Sequence, residues 1–168
     1  MKRKFIHSVF LILFGLICRP GLSQNSGSPK YIKVGQGYLM VLKQGDSLIA
    51  ELEKFTLREN IPSANFTGMG FVNVEFGFFN ASKRMYKKKK FNDVELGALI
   101  GSIAWQNARP SVHVHGIGAG SDFRARAGHI LSAIVSTGTL EIMITAHDQK
   151  LERVKDEELG ANVLELKD

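Results

Sequence analysis

From Tyr31 onward the spacing of apolar residues changes period along the chain, and each change marks an element. Tyr31 to Lys43 carries a strand pattern with Gly35 and Gly37 near its start, closed by a turn at Gln44-Gly45. The period then becomes helical: Leu48, Ile49, Leu52 and Phe55 fall on one face and Glu51, Lys54 and Arg58 on the other. Asp46 or Ser47 supplies the N-cap, and Ile61-Pro62 stops the helix. Beyond it the period is two. Val72, Val74, Phe76 and Phe78 alternate with Asn73, Glu75 and Gly77, after the glycine-rich segment Gly68-Met69-Gly70. Asn80-Ala81-Ser82 is a turn. Tyr86 to Phe91 and Glu95 to Trp105 are further strands, and Gln106 to Pro110 turns the chain back. Ile130 to Val135 is a short apolar segment, Leu140, Ile142 and Ile144 alternate with polar neighbours, and Val163 to Leu166 is a terminal edge strand. Many strands on short turns, with as many as two helices, predict an α+β domain: an antiparallel β-sheet with flanking α-helices.

The residues before Tyr31 follow a different pattern. Lys2, Arg3 and Lys4 precede an almost unbroken apolar run, Phe5 to Ile17, which has the length of a secretory signal core rather than of a membrane span. Gly21 and Ser23 put small residues at the minus-three and minus-one positions of a cleavage site. The chain therefore divides into a signal peptide over 1–23, a flexible tether over 24–30 and a single domain over 31–168, and the product is expected to be secreted or periplasmic, with no membrane segment after cleavage. Cys18 raises the alternative of a lipid anchor, but Ile17 before it is too bulky for a good lipobox.

That division changes the charge argument. The whole chain has 22 Lys and Arg against 16 Asp and Glu. Four of the basic residues, Lys2, Arg3, Lys4 and Arg19, lie in the signal, so the mature chain carries 18 against 16, a net of +2. Most of the basic excess thus says nothing about nucleic acid. Cys18 is the only cysteine and leaves with the signal, so the domain is held by its core and not by a disulfide.

Candidate chemistry concentrates in Ser111-Val112-His113-Val114-His115 and Gly128-His129, which hold three of the five histidines. On a strand His113 and His115 share one face while Val112 and Val114 take the other. A loop from Gly116 to Gly128 can return His129 towards them. Three neutral imidazoles at one point suit zinc or a similar divalent metal and leave a coordination position open, to water or a small anionic ligand. The plainer reading of a His-x-His pair is a polar strand face. Glu95 is either a strand-end residue or a carboxylate facing the metal as a base. His147 reads as a turn residue beside Asp148, and Glu75 as simply exposed.

The remaining motifs read as structural. Lys87 to Lys90 must point to both faces of a strand, and lysines of this kind guard exposed edges. No interleaved aromatics or recognition helix accompany them. Gly68 and Gly70 lack the residues of a phosphate cradle and read as close strand packing. No serine or cysteine stands in a nucleophile elbow.

Several segments, taken in order, resemble the plant and prokaryote conserved (PPC) domain family. They are Phe66-Thr67-Gly68-Met69-Gly70, Phe91 to Leu96 leading to Gly101-Ser102-Ile103-Ala104, His113-Val114-His115, Ala127-Gly128-His129-Ile130, Gly138-Thr139-Leu140-Glu141-Ile142 and the closing Asp156 to Gly160. The resemblance covers most of the mature chain and implies an antiparallel sheet with flanking helices, assembled as a homotrimer. It also implies two functions. Plant members bind DNA through a separate AT-hook, which is missing here, while the PPC domain mediates assembly. Some prokaryotic members hold a metal through histidines that carry over to His113, His115 and His129. One departure stands out: the family usually has two glycines before the third histidine, and Ala127 takes the first of those places.

The expectation is therefore an exported, trimeric PPC-like domain with a divalent metal, zinc, at His113, His115 and His129 and a small anionic ligand beside it. The alternative is a non-enzymatic assembly or DNA-associated module. Whether the domain is catalytic is left open, Glu95 being the one residue with a conceivable role.

Overall fold

The computed structural model describes residues 29–35 and 37–166. The expected signal peptide with its cleavage site, Cys18 and most of the expected tether lie outside the described residues. Lys30, assigned to the tether, is already fixed: its carbonyl accepts from Val41 N at 2.7 Å and its ammonium reaches Asp46 and Glu51 at 2.8 and 3.1 Å.

The described chain runs β1 (Tyr31–Val34), β2 (Gly37–Lys43), α1 (Leu48–Arg58), β3 (Ser63–Asn80), β4 (Met85–Gln106), β5 (Arg109–Ala119), β6 (Ala125–His147), β7 (Glu152–Asp156) and β8 (Ala161–Glu165). The expected antiparallel sheet is there, but flanking helices are not: α1 is the single α-helix among the described residues. The rest of the apolar pattern goes into strands that cover one another. Ser47, not Asp46, caps α1 by accepting from Ala50 N, while Asp46 takes the Lys43 amide at 2.9 Å. Leu48, Leu52 and Phe55 are fully buried from this helix.

Strands expected as separate pieces are continuous. The two segments around Asn92 are one strand, β4, and the two around Thr137 are one strand, β6. The interruptions in the apolar pattern are β-bulges, which bend a strand without ending it. In β3 the register shifts against β4 between Gly68 and Gly70, and against β6 between Gly70 and Val72. At that bend Gly70 has φ +146°, and a Cβ there would lie 2.8 Å from Leu140 Cα, so the close-packing reading of this glycine holds. On β6, Ser136 and Thr137 leave the ladder and donate to Asp93 Oδ1 at 2.8 and 3.0 Å. Tyr31 to Lys43, by contrast, is two strands, β1 paired with β2.

The bends let the sheet close. β3 pairs with β4, β4 with β5, β5 with β6 and β6 again with β3, so four strands form a hydrogen-bonded ring around the core. Phe66, Leu96, Leu99, Ile103, Val114, Ile130 and Leu140 fill its interior. Asn107 and Ala108, both at positive φ (49° and 60°), make the two-residue hairpin between β4 and β5. Two arms project from the ring: the β3–β4 hairpin, and the β7–β8 hairpin, which joins β4 at Trp105 and Glu152.

Candidate metal centre

The histidines stand on the outside of the ring. Val114 is 1% exposed, so the alternation of β5 sends His113 and His115 outward together. The expected loop to His129 is a β-hairpin: β5 and β6 pair directly, with His115 opposite His129. His113 is then the diagonal cross-strand neighbour of His129, a spacing that long side chains bridge. The pairing continues through Ala127 opposite Ile117, so the methyl at 127 leaves the third histidine in register.

The three rings form a nearly equilateral triangle, with centroids 5.1, 5.0 and 5.1 Å apart. One ring nitrogen of each lies within 4.8 Å of the others, and His113 Nε2 and His115 Nε2 are 3.2 Å apart. Nitrogens held about 2.0 to 2.1 Å from a tetrahedral ion are separated by about 3.3 Å, so this pair fits two ligands of one zinc. Burial, then the charge of Arg153 and of His115, lowers the His113 pKa. Burial, reinforced by His113, His115 and Arg153, pushes His129 down to about 4. Both are thereby kept in the neutral form that coordinates a metal.

The cluster opens into a cleft of about 930 Å³ whose walls are the outer face of β5 and β6 and the two arms. Tyr86 stacks on His129 at 5.0 Å and 27°. Gly77 stands opposite His129 across the β3–β6 ladder, and a Cβ there would lie 2.7 Å from Tyr86 Cδ1, so the missing side chain lets that ring in. From β7 comes Arg153, 7% exposed, whose Nη2 donates to Ser102 Oγ at 2.7 Å; Ser102 is the residue opposite His113. Burial lowers the Arg153 pKa. Sequence reasoning did not single out Tyr86 or Arg153, and weighed Gly77 only as a strand position. They come from three separate strands, and no local pattern marks them.

The other candidates fall elsewhere. Glu95 is exposed and pairs with Phe71 and Ala119, five residues along β4 from Ile100, the partner of His115. That is roughly 17 Å at strand rise. No acidic residue is among the described residues lining the cleft. His147 ends β6 opposite Ser63, apart from the cluster. Glu75 is half-buried rather than exposed, opposite Lys90. Lys87 to Lys90 are all exposed on a stretch of β4 that pairs only with β3, since β5 joins β4 from Glu95 onward. The edge-strand reading of the lysines holds.

A ring of bent antiparallel strands with one helix and an outward three-histidine cluster defines a domain class rather than an activity. The chain belongs to the Plants and Prokaryotes Conserved (PCC) domain family, whose profile matches residues 30–148. No curated protein matches it in sequence. Three solved structures resemble it along nearly their whole length. A Ralstonia eutropha protein described as a candidate DNA-binding protein is 42% identical, covers 82% of this chain and 96% of its own, and superposes with TM-score 0.79. A Pyrococcus horikoshii PPC protein is 26% identical over 82% of this chain and 96% of its own, TM-score 0.72. A metal-containing protein of Archaeoglobus fulgidus is 28% identical over 78% and 94%, TM-score 0.70.

Proposed function

We propose that this chain is an exported, trimeric PPC-family domain that holds a divalent metal, zinc, through His113, His115 and His129 and takes a small anionic ligand at the open coordination position. The carrying observation is the triangle of ring nitrogens within 4.8 Å, two of them at tetrahedral ligand spacing. The metal-containing relative from Archaeoglobus supports it. A bound metal supplies Lewis acidity to whatever fills its open position. The chain's own residues orient the site: Tyr86 braces the His129 ring, and the cross-strand pairing of β5 and β6 sets the spacing. Glu95, roughly 17 Å along its strand, is given no catalytic role.

Self-association has a surface to act through. Met69, Ile100 and Met143 are 59, 62 and 46% exposed on neighbouring strands, with Thr67 opposite both Ile100 and Met143. Metal analysis of the purified protein together with its native mass tests the reading. One zinc per chain and a threefold mass are expected, and a metal-free monomer would overturn it. Export predicts a mature N-terminus at Gln24, which mass spectrometry of protein from its native host reads directly; intact Met1 or a lipid on Cys18 would reject it.

A second reading, a DNA-associated module, is favoured by the description of the Ralstonia relative. It ranks lower because the mature charge is only +2, by the count of 18 basic against 16 acidic residues after residue 23.

A further inference from the structure

Arg153 is a buried cation without a counter-ion. It is 7% exposed, its one hydrogen bond goes to the neutral hydroxyl of Ser102, and its Nε is enclosed with no acceptor. No carboxylate pairs with it among the described residues. A guanidinium taken out of water is costly unless an anion or several acceptors compensate it. It nevertheless lines the same cleft as the histidines, together with Arg84 and Lys155. The cleft thus collects positive charge, adds a divalent metal on the reading above, and offers nothing negative of its own.

The rest of the wall is suited to an organic body. Phe79 and Tyr86, packed edge to face with ring centroids 5.3 Å apart, line the cleft beside these cations, and about 930 Å³ is far more space than an inorganic ion fills. Position links the cation to the metal site: Arg153 is bonded to Ser102, and Ser102 stands directly opposite His113. A head group touching the guanidinium is therefore next to the three imidazoles.

We propose that the cleft binds a small organic oxyanion, a carboxylate or phosphate, whose head lies between the Arg153 guanidinium and the three-histidine site and whose apolar body lies along Phe79 and Tyr86. This rests on the metal-site reading for the second contact of the head group and not for the first. With Nε enclosed and Nη2 on Ser102, the guanidinium has Nη1 left to donate to an oxyanion, and such charge-assisted bonds are about twice as strong as neutral ones.

The test is calorimetric titration of benzoate, phenyl phosphate and neutral benzamide into the full chain, zinc-loaded and metal-free. At least one anion is expected to bind about tenfold or more tighter than benzamide, the size of one charge-assisted hydrogen bond. Whichever anion wins identifies the head group. Arg153→Met is expected to remove that advantage, with zinc affinity unchanged or tighter because a neighbouring positive charge has gone, while Arg153→Lys keeps part of the preference. In the unsubstituted protein the Arg153 Nε–H resonance should shift on adding the anion and stay still with benzamide, which keeps the test intact should a variant fold poorly. Benzamide binding as tightly as both anions, or Arg153→Met binding the anions like the parent, would overturn the proposal. Arg153-dependent anion binding by a protein that takes up no zinc would leave the anion site standing and remove the metal one; zinc uptake without anion preference would do the reverse.

Discussion

The Nε2 atoms of His113 and His115 stand 3.2 Å apart across one face of β5. Two ring nitrogens this close cannot both carry a proton, and they meet comfortably only if they share one proton or one cation. His129, directly opposite His115, supplies the third ring. Replacing any of the three by Ala is expected to weaken zinc binding by about 100-fold or more, since even partners that merely orient a ligand are worth about 10- to 100-fold. His147→Ala should change little. Competition with a chromogenic chelator measures both, and equal effects at 113 and 147 would reject the site.

The pH response has a defined sign. His129 sits near 4 in the folded chain, against about 6.5 when unfolded. Between those values the unfolded state takes up a proton that the native state refuses, so stability of the metal-free protein falls as pH drops through that window. Urea unfolding at about pH 7, 5.5 and 4.5 is expected to show a steeper loss for the parent than for His129→Gln. By the same shift, the part of zinc affinity that depends on His129 declines near pH 4 rather than near 6.5. Parallel stability curves would mean that the imidazole is not enclosed as described.

Gly101 ties the core to the site strand. A Cβ there would run into the Phe66 ring and lie 2.5 Å from the carbonyl oxygen of His113. Backbone cannot yield as a side-chain tip can, so Gly101→Ala is expected to cost at least about 1 to 3 kcal/mol, the range of overpacked cores. Thermal or urea unfolding checks it. Gly97→Ala, with nothing within 4 Å of the added carbon, is the control and should leave stability nearly unchanged.

The lysine edge bears on DNA. If association is only electrostatic, a protein from residue 24 to 168 should bind different duplexes alike and lose them steeply as salt rises. Changing Lys87 to Lys90 to Gln should abolish what remains. Filter binding at two salt concentrations decides this, and salt-resistant, sequence-selective binding would instead favour the DNA-associated reading.

How much of this could be read from the chain alone depends on distance in sequence. The helix at Leu48–Arg58 was legible because its cap, its face and its stop are local, and the His-x-His pair because strand alternation fixes two side chains on one side. The continuity of β4 and β6 was not legible. Polar and glycine positions such as Asn92 and Gly138 look like turns until neighbouring strands show them to be bends within a ladder.

By itself the sequence determined the antiparallel strand-rich class, the single clear helix, the family, and which three histidines belong together. The tertiary structure alone decided the closed ring of strands, the pairing of His115 with His129, and the arrival of Tyr86 and Arg153 beside them from β4 and β7. The physical reason is that periodicity encodes which face a side chain takes, whereas the partner it meets there is set by long-range register, bulge placement and burial, terms that act between residues tens of positions apart.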